Sequence, residues 1–276
     1  MPKKVVVLFY ILLLLIGCQQ QDRSFDQDRY IVTSPEVAEI LAALGAIENI
    51  VGITQECNYP IALNNIEKIG NFGKVDFEKI IELNPNIVFT SGLEQDALSS
   101  ELAKLNIRVE KIYPSSIADM LDSILRIGVL VDRKEQAEAL VDSLRNELQK
   151  IAENKVSTIP KIYVEIYGDP LMSVNGKSFI GELVAFADGV NIFSDLPREY
   201  SRIDAEKVIE ADPEVIILTY PGVSADDIQK RKGWEVISAV ENNKIFSTSD
   251  IDPDLILRAS PRCITGIKQL HKAFYE

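Results

Sequence analysis

His271 is the sole histidine among 276 residues, and that count removes most catalytic and metal chemistry from consideration. A direct metal-ion receptor needs several imidazoles, or soft and hard ligands clustered together. A serine or cysteine triad needs a histidine to act as its base. His271 sits instead in an amphipathic C-terminal stretch that Pro261 starts, where a surface or boundary position is expected. The same count argues against haem held by histidine and leaves a tyrosine ligand open. Asn175-Gly176-Lys177-Ser178 ends like a phosphate-binding loop, but such a loop requires glycine where Leu171 stands. The segment therefore reads as a turn before a helix beginning near Phe179. No Gly-x-Ser-x-Gly elbow occurs. With 42 acidic residues, carboxylate pairs suited to glycosidase work arise by chance, and none is marked by its surroundings. The chain reads as a non-enzyme without a resident metal or cofactor.

Two glutamates stand out by position. Residues 76 to 88, Asp-Phe-Glu-Lys-Ile-Ile-Glu-Leu-Asn-Pro-Asn-Ile-Val, recur at 204 to 216 as Asp-Ala-Glu-Lys-Val-Ile-Glu-Ala-Asp-Pro-Glu-Val-Ile. Each copy reads as an N-cap aspartate, a short amphipathic helix, a proline that stops it and a buried β-rich run. Glu78 and Glu206 fall in the first turns of the two helices, where a carboxylate favours the positive end of the dipole. That suffices to explain either one alone.

The elements around these residues predict a fold. Strands are expected at 87–90 and 215–219 after the repeats, and at 30–33, 50–54, 108–112, 161–166 and 244–247, with helical patterns between them. Such alternation predicts an α/β protein of two lobes with largely parallel sheets. A helix over 134–155 is expected to join them, because Ala137, Leu140, Val141, Leu144, Leu148 and Ile151 recur at spacings of three and four. At 1.5 Å per residue it spans roughly 30 Å, enough to bridge an N-terminal lobe over 29–133 and a C-terminal lobe over 156–276. A single helical connection predicts a rather rigid cleft between them. Trp234 is assigned to the packing of the second lobe.

The N-terminus carries Lys3 and Lys4, an apolar run from Val5 to Ile16, then Gly17 and Cys18. The run is too short to span a bilayer and reads as a signal peptide over 1–17. Its end resembles the lipobox of bacterial lipoproteins, which implies lipidation of Cys18, a tether over 18–28 and an exported protein anchored on the periplasmic or extracytoplasmic face. Gln19 after the cysteine leans toward the outer membrane in a Gram-negative cell. The net charge of −13, without a basic cluster, excludes nucleic acid as an expected partner. Cys57 and Cys263, far apart in sequence, are expected as two partly buried thiols rather than a disulfide.

The segments Arg29-Tyr30-Ile31-Val32-Thr33-Ser34-Pro35-Glu36-Val37-Ala38-Glu39-Ile40, Cys57-Asn58-Tyr59-Pro60, the repeat, Gly233-Trp234 through Ala239-Val240, and Arg258-Ala259-Ser260-Pro261-Arg262 resemble, in order, the helical-backbone (class III) periplasmic substrate-binding proteins. That family serves ABC importers of cobalamin, haem and iron-siderophores, and the resemblance is greatest to the cobalamin-binding branch. It implies a monomer that captures cobalamin or another corrinoid and delivers it to permease subunits coupled to a cytoplasmic ATPase. It also implies ligand contacts by Tyr59, Phe72 and Tyr200, the last two standing where the branch often has tryptophan, and permease docking by Glu78 and Glu206. A ferric-siderophore or haem receptor is the first rival, favoured if Arg198 or Arg202 faces the cleft. A membrane-face hydrolase and a sensory or adhesive lipoprotein are the others.

Overall fold

The computed structural model describes residues 28–71, 73–92, 96–153 and 156–276. The expected signal peptide, Cys18 and nearly all of the tether therefore lie outside the described residues.

The described residues begin with β1 (Tyr30–Val32), α1 (Pro35–Ala43) and β2 (Ile50–Ile53). Helix α1 starts where the sequence dictates: Ser34 Oγ accepts from the Val37 amide, and Pro35 fills the first turn, where its missing amide costs nothing. A hairpin of β3 (Gly70–Asn71) and β4 (Lys74–Val75) leads to α2 (Phe77–Glu82), β5 (Ile87–Thr90), α3 (Asp96–Lys104), β6 (Arg108–Lys111) and α4 (Ile117–Leu130). The first sheet is parallel throughout, in the order β2-β1-β5-β6.

Helix α5 (Lys134–Glu153) follows, its 20 residues giving the expected length of about 30 Å. Ala137, Val141, Leu144 and Leu148 are buried, while Leu140 and Ile151 pack at the margin of the same stripe. A Cβ on Gly128 of α4 would collide with Ala137 of α5, so glycine permits the close approach of these helices.

The second half runs β7 (Lys161–Glu165), β8 (Tyr167–Gly168), β9 (Leu171–Val174), α6 (Phe179–Phe186), β10 (Val190–Asn191), β11 (Tyr200–Arg202), α7 (Ala205–Ala211) and β12 (Val215–Leu218). It ends with α8 (Ala225–Gln229), α9 (Ser238–Glu241), β13 (Ile245–Phe246), α10 (Asp254–Leu257) and α11 (Cys263–Tyr275). Its main sheet, β10-β7-β12-β13, is again parallel and repeats the first sheet's pattern of one strand to one side and the next two to the other. The α/β architecture of two lobes with parallel sheets is thus present. A smaller antiparallel sheet, β11-β9-β8, was not expected from the sequence.

The repeat is reproduced in backbone detail. Asn84 and Asp212, each preceding the proline, both adopt left-handed φ values, 45° and 47°, a conformation that Asn and Asp tolerate best among side-chain-bearing residues. The copies differ at their start. Asp76 Oδ1 accepts from the Glu78 and Lys79 amides at 3.1 Å, whereas Asp204 holds the cap position without a side-chain bond.

One apolar core runs through both lobes, from Val32, Val37 and Ile53 through α4 and α5 to Val164, Leu183 and Ile267. Polar ties accompany it. Glu39, buried on α1, accepts from Arg262 Nε (2.9 Å) and Nη2 (2.6 Å), from Arg258 Nη1 (2.9 Å) and from Ser260 Oγ (2.6 Å). Across the lobes, the Ile117 amide at the start of α4 donates to Glu182 Oε2 of α6 at 2.7 Å. Removing one member of a buried ion pair leaves the other charge desolvated and unmatched. Glu39→Ala is therefore expected to lower the unfolding free energy by about 3–5 kcal/mol, whereas Glu182→Gln, which keeps an acceptor, costs under about 1 kcal/mol. Urea denaturation of the two variants measures the contrast, and equal losses would remove Glu39 from its central place.

Candidate ligand cleft

In open parallel sheets, a crevice forms beyond the strand ends where the chain leaves in opposite directions. In the first sheet this point lies between β1 and β5, and in the second between β7 and β12. At the first, Ser91 Oγ donates to Glu36 Oε1 at 3.0 Å. At the second, Glu165 is fully buried and accepts from Tyr220 Oη (2.6 Å), Tyr163 Oη (3.0 Å) and, in two parallel bonds of 2.6 and 2.7 Å, from Arg231. Burial and the neighbouring carboxylate push the Tyr163 and Tyr220 phenols above their usual range, so both remain hydrogen-bond donors. The Arg231 guanidinium also lies 4.6 Å above the Trp234 ring, confirming Trp234 as packing of this lobe.

The two lobes approach each other at Tyr200: Tyr113, just beyond β6, and Glu36 of α1 lie near enough to the Tyr200 phenol of β11 to raise it. Burial is the first cause pushing the Tyr200 phenol up to about 12, followed by Tyr113, with Glu36 of the first lobe also contributing. The phenol therefore stays protonated at any physiological pH. Glu36 likewise acts on Cys57, so its charge is felt on both sides of the gap.

Of the residues expected to touch ligand, Tyr59 follows β2 at the first lobe's edge and is 47% exposed. Arg262 lies 3.9 Å from its ring centroid, and Glu39 fixes Arg262 in turn, so the ring is positioned by a buried ion pair. Tyr200 is 40% exposed on the second lobe. The two rings make no contact with one another among the described residues. Phe72 lies outside the described residues. Glu78 and Glu206 are both exposed in the first turns of α2 and α7. Each helix packs on its own sheet, α2 through Ile80 and α7 through Val208.

Sequence reasoning missed Tyr113, Glu165 and the role of Glu39. A signal existed for two of them: Glu39 interrupts an apolar run of α1, and Glu165 ends the apolar strand β7. An isolated carboxylate in such a run demands a buried cation.

Comparison with known proteins fits this geometry. The family model for periplasmic binding proteins matches residues 31–251. The chain belongs to this family. The ABC transporter substrate-binding lipoprotein YvrC of Bacillus subtilis is 31% identical over 87% of this chain and 78% of its own length. A vitamin B12-binding protein of Vibrio parahaemolyticus is 26% identical over 90% of this chain and 89% of its own. A crystal structure of a possible iron-binding periplasmic solute-binding protein from Staphylococcus epidermidis superposes with a TM-score of 0.79 at 26% identity, covering 90% and 98% of the two chains. This is a class III, two-lobed binding protein of extracytoplasmic transport, and not an enzyme.

The thiols need one correction. Cys57 and Cys263 were expected to be partly buried, but both are wholly buried and unpaired with each other. Cys57 Sγ lies 3.5 Å from Thr54 Oγ1, and Cys263 Sγ lies 3.8 Å from Met120 Sδ. Burial pushes them up to about 11 and about 12 respectively, which suppresses the reactive thiolate. The native fragment from Arg23 onward is therefore expected to show no thiol reactive to an aromatic disulfide reagent at pH 8, and two after denaturation in guanidinium. A fast-reacting thiol in the native protein would contradict this burial.

Proposed function

We propose that this binding protein captures cobalamin or a related corrinoid between its lobes and hands it to the permease of an ABC importer. The observation that carries the reading is that each lobe offers one half-exposed ring, Tyr59 in the loop after β2 and Tyr200 at the start of β11. A flat macrocycle matches two aromatic surfaces better than a compact ion does. Relatives named as vitamin B12-binding proteins align over 90% of the chain, which supports the same ligand class. Phe72 is proposed as a third aromatic contact, with Cys18 carrying the lipid that holds the protein at the membrane.

Glu78 and Glu206 are proposed as the docking pair. Exposed carboxylates at equivalent places on two similar lobes offer a two-point register to basic residues on the permease. The second reading, a haem or ferric-siderophore receptor, draws on Arg202, which lies two residues from Tyr200 on the same strand and so shares its face.

Calorimetric titration of the fragment from Arg23 onward with cyanocobalamin tests the ligand. One-to-one binding is expected, weakened at least about fivefold by Tyr59→Ala and by Tyr200→Ala. Saturation by haemin or a ferric siderophore, without any heat from the corrinoid, would transfer the protein to the iron branch. Docking is tested in cells: the combined change Glu78→Arg and Glu206→Arg is expected to abolish uptake while the purified variant binds its ligand as before. Unimpaired uptake would exclude that pair as the docking contact.

A further inference from the structure

Between Gln19 and Asp28 every residue is polar except Phe25. A lone aromatic ring is drawn to an apolar surface within its reach, so the point at which the described residues begin decides where it can go. The Asp28 carbonyl accepts from Asn49 Nδ2 at 3.0 Å, and the Tyr30 hydroxyl donates to the Asp28 carboxylate at 3.1 Å. The Asn49 amide donates to the Ala46 carbonyl, and the Ala46 amide to the Leu41 carbonyl. Asp28 is thereby held beside the C-terminal end of α1.

That end of α1 carries a groove. Ala42 and Ala43 line a cavity of about 280 Å³ together with Pro60 and Pro261, and Tyr59 shares the lining. Its charged members, Glu39 and Arg262, are bonded to each other at 2.6 Å, so the lining holds no unmatched charge and favours a neutral, apolar occupant. Ala42 lies six residues beyond Glu36, about 9 Å along the helix, which sets the groove at the opposite end of α1 from the crevice. Phe25 stands three residues before Asp28, a span of about 10 Å when extended. A link that short keeps the ring at high local concentration beside the groove.

We propose that Phe25 seats its ring in this groove, against Ala42, Ala43, Pro60 and Pro261. The seat is intramolecular and needs neither ligand nor lipid. Its consequence rests on the reading of Cys18 as the anchored residue: the free tether shortens from about 35 Å over 18–28 to about 25 Å over 18–25. The first lobe is then held closer to its anchor, which narrows the space in which the binding protein meets its permease.

The test uses the chain from residue 18 onward with Cys18→Ser, carrying alanine labelled at its methyl group. Nuclear Overhauser contacts from the Phe25 ring to the Ala42 and Ala43 methyls are expected, and their loss in Phe25→Ser. Trypsin is expected to cut after Arg23 about fivefold more slowly in this protein than with Phe25→Ser or with Ala43→Arg, which fills the groove from an exposed position. Absence of the ring contacts, with equal cutting in all three, overturns the seat. Slow cutting that persists with Ala43→Arg puts the ring elsewhere and overturns the groove as its site. Contacts found only between labelled and unlabelled molecules in a mixture assign the groove to a second copy and overturn an intramolecular seat. No arm contains a corrinoid, so each of these outcomes leaves the proposed ligand and the docking pair as they stand.

Discussion

A buried carboxylate is costly unless every lone pair finds a donor, and Glu39 meets that demand from residues more than two hundred positions away. Arg258, Ser260 and Arg262 reach it from the C-terminal segment, so the end of the chain is fixed against its first helix. Several other features depend on this contact. Arg258 also binds Asn58 Oδ1 and the Glu56 carbonyl, which orders the loop leading to Tyr59. Arg262 underlies the Tyr59 ring itself. The loop that carries Tyr59 is therefore held by an ion pair whose partners belong to the two extremes of the described chain.

The second lobe uses the same chemistry in a different place. Glu165 ends β7 and gathers Tyr163, Tyr220 and Arg231, fixing the loop that follows β12 to the point where the sheet divides. Both lobes thus place a carboxylate at the strand ends where the chain parts, Glu36 in one and Glu165 in the other. The first is half-buried and hydrogen-bonded to a serine, while the second is sealed and fully paired. Repetition of topology leaves the two walls electrostatically unlike, and a ligand lying between them meets different chemistry on its two faces.

How much of this could be read in the sequence follows from the range of each interaction. Helix α5 was legible because four buried residues at spacings of three and four make a local pattern. The repeat was legible for the same reason, down to its prolines. Strand ends ran one residue long at Thr33, Thr54 and Thr219, where β-favouring threonines leave the ladder but still bond to neighbouring strands through their hydroxyls. The sheet β8-β9-β11 escaped notice because strands of two to four residues containing Gly, Ser and Arg carry no readable alternation. The pairing of Glu39 with Arg258 and Arg262 is purely tertiary, and Tyr59 and Tyr200 were singled out only through resemblance to a family.

The bond from the Ile117 amide to Glu182 has a consequence for how ligand is received. A carboxylate of one lobe accepts the first amide of a helix that belongs to the other, beside that helix's own cap, Ser116. The lobes are thus tied by a hydrogen bond as well as by the covalent link through α5. Each inter-lobe contact that forms on folding removes freedom that would otherwise be lost when a ligand is ordered between the lobes.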